Sequence, residues 1–176
     1  VDVLAKAIQA LEIGTEVIQL ARTLMEPVVL QEVATCDVIF GCMDSAEGRY
    51  YLNRLAAFFT IPYFDLGVRL DADGAGGVDG VYGSVHYLQP DGSSLLSRGV
   101  ITMEEVRAEG MAREAPEEYR RQRAEGYIRN VEVERPAVIS INMLISAMAV
   151  NEFIARLHPY RLVDNQAFAI RSVDLI

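Results

Sequence analysis

The stretch CDVIFGCMDSAEGRYYLNRLA, residues 36–56, passes from an apolar run into an acidic residue and then into a helical pattern. Residues 37–43 predict a buried strand, because a short unbroken apolar run is typical of a strand that is covered on both faces. Residues 45–59 predict a helix, since apolar side chains recur there at helical spacing. These apolar positions are Leu52, Leu55, Ala56 and Phe59. The stretch therefore predicts a strand that ends at Asp44 and is followed at once by a helix.

The neighbouring segments continue this alternation. Residues 15–21 (TEVIQLA) and 61–70 (IPYFDLGVRL) predict two further strands, and residues 26–35 predict a short helix or a turn between the first two strands. Strands that are linked by helices favour a parallel sheet with helices on both faces. We therefore predict an α/β fold with a Rossmann-like, mostly parallel sheet. Because the chain opens on Val1 and enters a helix directly, we expect it to be truncated at its N-terminus.

The second half of the chain has a different sequence pattern. A glycine-rich turn after Leu70 and the alternating residues 81–90 predict an antiparallel hairpin. The charged residues 102–127 predict a solvated helical insertion that opens on a Thr102–Glu105 capping box. The tail predicts two short strands around a turn at Asp164 and Asn165.

A long helix is predicted between the charged insertion and the tail. Residues 136–157 are apolar nearly all round, and the stripe that we expect to be most buried comprises Ile141, Leu144, Ile145 and Met148. Such a helix must be covered on several sides, which suggests a homodimer; a core helix within one subunit is the alternative. We expect residues 1–176 to form a single partial domain. Its parts are an α/β part (1–70), a hairpin (71–100), a charged helical insertion (101–135), and the long helix with terminal strands (136–176).

Composition excludes several classes of protein. The 176 residues are 51% apolar, enough to bury a core, and their formal net charge is −9. So acidic a chain does not favour binding to nucleic acid or to an anionic membrane. The most apolar stretch, residues 136–150, is too short to span a bilayer. The two cysteines, Cys36 and Cys42, are expected on or beside one strand, with their side chains on the same face and without disulfide geometry, which indicates a reduced, cytoplasmic protein.

Asp44 is the candidate functional residue. In an open parallel sheet, ligands bind outside the carboxyl ends of the strands, and a carboxylate there can hold Mg²⁺. Asp44 and Glu47 also have the spacing of a helix N-cap, and spacing alone favours this structural role. The two roles can coexist.

The segment CDVIFGCMDSAEGRYYLN resembles the ThiF-like adenylyltransferases, the family of the ubiquitin-activating enzymes and their bacterial relatives. Residues 61–68 (IPYFDLGV) and 135–157 are similar to later segments of the same family, in the same order. The family signature is a strand that ends in Cys-Thr-Asp or a similar tripeptide, then Arg and commonly Leu-Asn. The corresponding residues here are Cys42, Met43, Asp44, Arg49, Leu52 and Asn53.

The resemblance implies a reaction and a set of binding residues. The C-terminal carboxylate of a ubiquitin-like or sulfur-carrier protein would attack the α-phosphate of ATP, giving an acyl adenylate and pyrophosphate. Asp44 would be the catalytic residue and would bind magnesium, and Arg49 would orient Asp44 or its helix. The implied nucleotide-binding residues are Cys42, Met43, Asp44, Arg49 and Asn53.

The chain also departs from the family pattern. It contains no GxGxxG loop, so we expect residues 1–176 alone to be inactive. Ser94 and Ser97 stand where many relatives carry a zinc-binding Cys-x-x-Cys pair, so we expect no structural zinc. Because Cys42 is predicted to be buried, we expect no thioester-forming nucleophile. Besides the adenylyltransferase, a dinucleotide-dependent oxidoreductase fragment and a catalytically silent partner-binding relative stay open as alternatives.

Overall fold

The computed structural model describes residues 1–72, 77–128 and 139–175, and the chain divides into two compact units, residues 1–35 and 36–176. Unit 1 contains helix α1 (Asp2–Gln9), which confirms the predicted N-terminal helix, and helix α2 (Pro27–Val33), which is the helix and not the turn allowed for residues 26–35. The strand predicted at residues 15–21 is wrong. Within unit 1, all of which is described, no strand offers an edge to pair with it, and a lone strand cannot satisfy its backbone hydrogen bonds.

Unit 2 is built on a four-stranded sheet whose strands lie in chain order. Its strands are β1 (Ile39–Gly41), β2 (Tyr63–Ala72), β3 (Val78–Leu88) and β4 (Ile170–Asp174). β1 pairs with β2 in parallel, whereas β2–β3 and β3–β4 are antiparallel. The α/β class and the antiparallel hairpin are thus confirmed. Among the described strands, only the pair β1–β2 is parallel, and residues 73–76 of the hairpin turn lie outside the described residues.

β1 is shorter than predicted, and a side chain explains why. The Ile39 amide donates to the Pro62 carbonyl. In a parallel pair, every second carbonyl from there along β2 therefore points to β1. The next β2 carbonyl in this series beyond Gly41, that of Leu66, accepts instead from Nη2 of Arg49 at 3.1 Å. The guanidinium therefore takes the acceptor that a longer β1 would use.

Helices cover both faces of the sheet. Phe64 and Val85 point to one face and pack with Ile145 and Ala149 of α6 (Ile139–Leu157) in the core cluster. Side chains alternate along a strand, so Asp65 points to the other face, where α3 (Ala46–Phe59) lies and its Arg49 meets Asp65.

The charged insertion is only partly solvated. It forms α4 (Met103–Glu114) and α5 (Pro116–Ala124), and α4 opens on the predicted Thr102–Glu105 capping box. α4 buries Val106 and Ala108 and contacts α3, whereas α5 buries no residue. The prediction of a solvated excursion is therefore wrong for α4.

The long helix is confirmed from Ile139 to Leu157, and residues 136–138 lie outside the described part. Its buried stripe is displaced from the predicted one, since Leu144 is 43% exposed. The buried residues are Ile145, Ala149, Glu152 and Ala155. No described helix combines the length and the apolar content that a membrane crossing requires.

The C-terminal tail, as far as residue 175, has one strand instead of the two predicted. A 3₁₀ helix (Asn165–Phe168) precedes β4, and the Asp164 carboxylate caps it by accepting from the Gln166 amide at 2.8 Å. The acidic residue that suggested a turn between strands is therefore a helix cap.

Candidate functional site

Asp44 lies between the end of β1 and the start of α3, and its side chain is exposed. Among the described residues its carboxylate has no hydrogen bond or ion pair. The predicted N-cap role is wrong, because Ser45 caps α3 by accepting from the Gly48 amide at 3.1 Å. Asp44 is therefore a free carboxylate at the carboxyl end of a parallel strand, and its oxygens suit a hard cation such as Mg²⁺.

A carboxylate from another helix accepts hydrogen bonds at the N-terminus of α3. Glu109 of α4 accepts from the Ala46 amide at 3.1 Å and from the Glu47 amide at 2.7 Å. Together with Ser45, it satisfies three of the amides that a helix leaves free at its start. These amides are consequently unavailable to a phosphate in this conformation. Glu109 is more than 60 residues away in sequence, so no local pattern could have identified it.

We expect Glu109→Ala to lower the free energy of unfolding by about 1–2 kcal/mol, because two helix amides lose their acceptor. Urea unfolding of the wild type and the variant measures this difference. Glu125→Ala is the control, since Glu125 is exposed and its side chain caps nothing. Equal losses in the two variants would contradict the capping role.

Glu47 joins α3 to α4 by a second contact. Its buried carboxylate forms a two-point hydrogen-bonded ion pair with Arg113 of α4, at 2.8 and 3.2 Å. The pair fixes α4 against the start of α3. Glu47 thus stabilises the packing of α3 against α4 and is not part of the predicted cap.

Arg49 holds the chain just after β1 against the interior of β2. Its Nε donates to the Met43 carbonyl at 3.1 Å and lies 3.5 Å from Oδ1 of Asp65, while its Nη2 reaches Leu66. A Cβ on Gly67 would lie 2.9 Å from Nη2, so glycine gives the guanidinium its space. Arg49 therefore fixes the backbone of the residue that precedes Asp44.

A buried polar group lies behind Arg49 on the same face of the sheet. Asp65 is fully buried and accepts from the Tyr63 hydroxyl at 2.8 Å. Burial raises the pKa of the Asp65 carboxyl, and Arg49 and Tyr63 offset only part of this rise. His86 lies opposite Asp65 on β3 and is also buried. Burial, with Arg98 and Arg49 nearby, lowers the pKa of His86 to about 4. Sequence reasoning missed Asp65, whose polarity is hidden within an apolar strand.

These shifts predict how stability depends on pH. The pKa of His86 falls from 6.5 to about 4 on folding, so between these values the unfolded chain binds more protons and stability rises with pH. Asp65 acts in the opposite sense, because its raised pKa lets the native state keep a proton above 3.8, the ordinary value. We expect His86→Asn to reduce the stability gained between pH 5 and pH 7, measured by urea unfolding. His158→Asn, which alters an exposed histidine, should leave that gain unchanged.

A polar cleft of about 470 Å³ opens in front of Arg49. Gly67, Ser84 and Ser172 form part of its lining on three neighbouring strands, and Arg69 and Glu105 also line it. Asp44 does not line this cleft. The cleft offers hydroxyl and guanidinium groups to a polar ligand beside Arg49.

Two further predicted binding residues, Met43 and Asn53, contact other parts of the chain. Met43 packs on Gly48, where a Cβ would lie 2.4 Å from the Met43 methyl carbon. Asn53 accepts from the Leu95 amide at 2.7 Å and fixes the loop before α4. Neither residue lines the cleft, and their roles toward a nucleotide stay predictions.

The cysteines are not placed as predicted. Cys36 and Cys42 are free thiols in exposed residues outside β1, so the prediction that Cys42 is buried on a strand is wrong. Partial burial and the neighbouring Asp65 nevertheless raise the pKa of the Cys42 thiol, which makes it a poor nucleophile.

Ser94 and Ser97 form a hydrogen-bonded turn. The Ser94 amide donates to Oγ of Ser97 at 2.8 Å, and the Ser97 amide to Oγ of Ser94 at 3.1 Å. Among the residues that the structure describes, no group of three His, Cys, Asp or Glu side chains could hold a metal ion. The absence of zinc stays a prediction.

Comparison with known proteins gives one match. A family model described as the ThiF family matches residues 1–174. No curated protein and no solved structure matches the chain. The match covers both units and includes the signature around Asp44 and Arg49. The chain therefore belongs to the ThiF family, whose members are generally adenylyltransferases.

Proposed function

We propose that the full-length protein is a cytoplasmic, ATP-dependent adenylyltransferase that activates the C-terminal carboxylate of a ubiquitin-like or sulfur-carrier protein. The observation that carries the proposal is the Asp44 carboxylate, which is free of partners among the described residues and stands at the carboxyl end of β1. Family membership supports it, because members generally act on such carriers with ATP and magnesium.

Asp44 would hold the magnesium ion through its carboxylate oxygens, which are hard ligands with no competing bond. Bound magnesium would offset the repulsion between two negative reactants, the carrier carboxylate and the triphosphate. Arg49 would act as a positioning residue, since its bond to the Met43 carbonyl fixes the backbone beside Asp44. The cleft in front of Arg49 would admit the polar end of the carrier.

We also propose that the protein forms a homodimer through α6. Five large apolar residues recur along one side of this helix, away from its buried stripe, and all are at least 39% exposed. They are Ile139, Met143, Val150, Ile154 and Leu157. Burial of each such side chain contributes about 1.5–3 kcal/mol, and sedimentation at increasing protein concentration measures the association.

An exchange assay tests the proposed reaction against its alternatives. The full-length protein is incubated with ATP, Mg²⁺, labelled pyrophosphate and a ubiquitin-fold carrier, and we expect label to enter ATP only with the carrier present. A carrier whose C-terminus is amidated is the matched control, because it lacks the attacking oxygen. Hydride transfer from a nicotinamide cofactor without exchange would favour the oxidoreductase. Carrier binding without exchange would favour the silent relative.

A further inference from the structure

β4 is the last strand of the described sheet, and no described strand pairs with its outer edge. The Ala169 carbonyl and the Leu175 amide both bond to β3. Because hydrogen bonding alternates along an antiparallel strand, the odd-numbered residues of β4 bond to β3. The backbone N–H and C=O groups of Ile170 and Ser172 therefore point to the outer edge, where another strand could bond to them.

Arg171 stands on β4 with a guanidinium that has no hydrogen bond or ion pair among the described residues. It only stacks on the Phe168 ring, at 5.1 Å from the centroid. Nearby, Arg156 and Arg161 both pair with the buried carboxylate of Glu152. Among the ion pairs of the described residues, these three guanidinium groups share one carboxylate, which gives a local excess of positive charge. This excess is notable in a chain whose net charge is −9 and suits an acidic ligand.

A groove of about 260 Å³ lies between α6 and Arg171. Leu144 and Met148 give it an apolar wall, and Arg161 and Arg171 line it with charge. Leu144 is 43% exposed, so this wall is open to a partner. The groove is distinct from the exposed stripe of α6 that we assign to the homodimer.

We propose that the outer edge of β4 binds an extended peptide segment of a partner protein, which adds to the sheet as a strand and pairs an acidic side chain with Arg171. The peptide residue opposite Ser172 would exchange backbone hydrogen bonds with it. The residues opposite Arg171 and Val173 would point to the α6 side. In an antiparallel strand this gives the pattern apolar–x–acidic. The surface does not include Asp44 and depends on no step of the proposed adenylation, although Ser172 also lines the cleft in front of Arg49.

Peptide titration tests the charge contact. Fluorescein-labelled Thr-Val-Thr-Glu-Thr-Val and its counterpart with Lys in place of Glu are added to the full-length protein, and anisotropy reports binding. We expect the Glu peptide to bind about ten-fold more tightly or better. Arg171→Glu should reverse this preference, because the charges are exchanged. Arg120→Glu, at an exposed arginine of α5, is the control and should preserve it. Circular dichroism checks that both variants fold.

Hydrogen exchange tests the strand addition separately. We expect the Glu peptide to slow exchange of the Ser172 amide, which points to the outer edge. Charge-dependent binding without this protection would reduce the surface to a simple anion site and overturn the proposal. Failure of both peptides to bind would also overturn it, as would a dimer of this chain that already protects the edge. A loss of pyrophosphate exchange in Asp44 variants has no bearing on these outcomes.

Discussion

Asp44→Asn is expected to lower the rate of carrier-dependent ATP–pyrophosphate exchange by the full-length protein by about 100-fold or more. The substitution keeps the size of the side chain and removes its charge, so magnesium loses its anionic ligand. Because the Asp44 carboxylate bonds to no described residue, stability should be unchanged. The effect would therefore be on catalysis alone. Initial rates at saturating ATP, with unfolding curves for both proteins, measure it.

Asp37→Asn provides the matched control. Asp37 is also exposed, but it precedes β1 at the amino end of the strand, opposite to the end where ligands bind. We expect its variant to retain the wild-type rate. Equal rates for the Asp44 variant and the wild type would refute the assigned role. Equal losses in the two variants would point to a general effect of acidic charge.

Glu152→Ala is expected to lower the free energy of unfolding by about 3–5 kcal/mol, the largest effect on stability that we predict. Glu152 is 2% exposed, and its carboxylate bonds to Arg156 at 2.9 Å and to both terminal nitrogens of Arg161. Removing it leaves two guanidinium groups, each at most 16% exposed, without their counter-ion. Urea unfolding with a constant m value would measure the change.

Glu117→Ala is the control for Glu152→Ala. Glu117 also pairs with an arginine, Arg120, but it is 85% exposed, and water replaces such a partner easily. We expect no measurable change in stability. In addition, the losses from Glu152→Ala and Arg161→Ala should not add in the double variant, because both remove the same contact. Additive losses would show that the ion pair contributes little.

The sequence predicted those parts of the fold that local patterns specify. The capping box of Thr102 and Glu105 and the apolar face of α3 are local patterns. The capping box is confirmed, and the predicted face is confirmed except at Phe59, which is 48% exposed. The strand at residues 15–21 failed because apolar composition alone does not supply a pairing partner. The N-cap was assigned to Asp44 instead of Ser45 because both residues suit the position, and only backbone geometry distinguishes them.

The candidate site was predictable only in part. Asp44 and Arg49 could be found because they are close in sequence and match a family signature. Glu109 could not be found, because its contact with the start of α3 depends on tertiary packing. Likewise, Asp65 and Arg171 have no sequence signal of their own. Their importance comes from burial in one case and from the lack of a counter-ion in the other.

The contacts of Arg49 affect how much the main chain can move when magnesium binds. One planar group bonds to the carbonyls of Met43, just after β1, and Leu66, within β2, and so sets the separation between these two segments. A lysine could not reproduce this geometry, because its single nitrogen lacks the fork. We therefore expect the protein to have the same main-chain conformation around Asp44 with and without magnesium. Binding of the ion would then require little more than rotation of the Asp44 carboxylate.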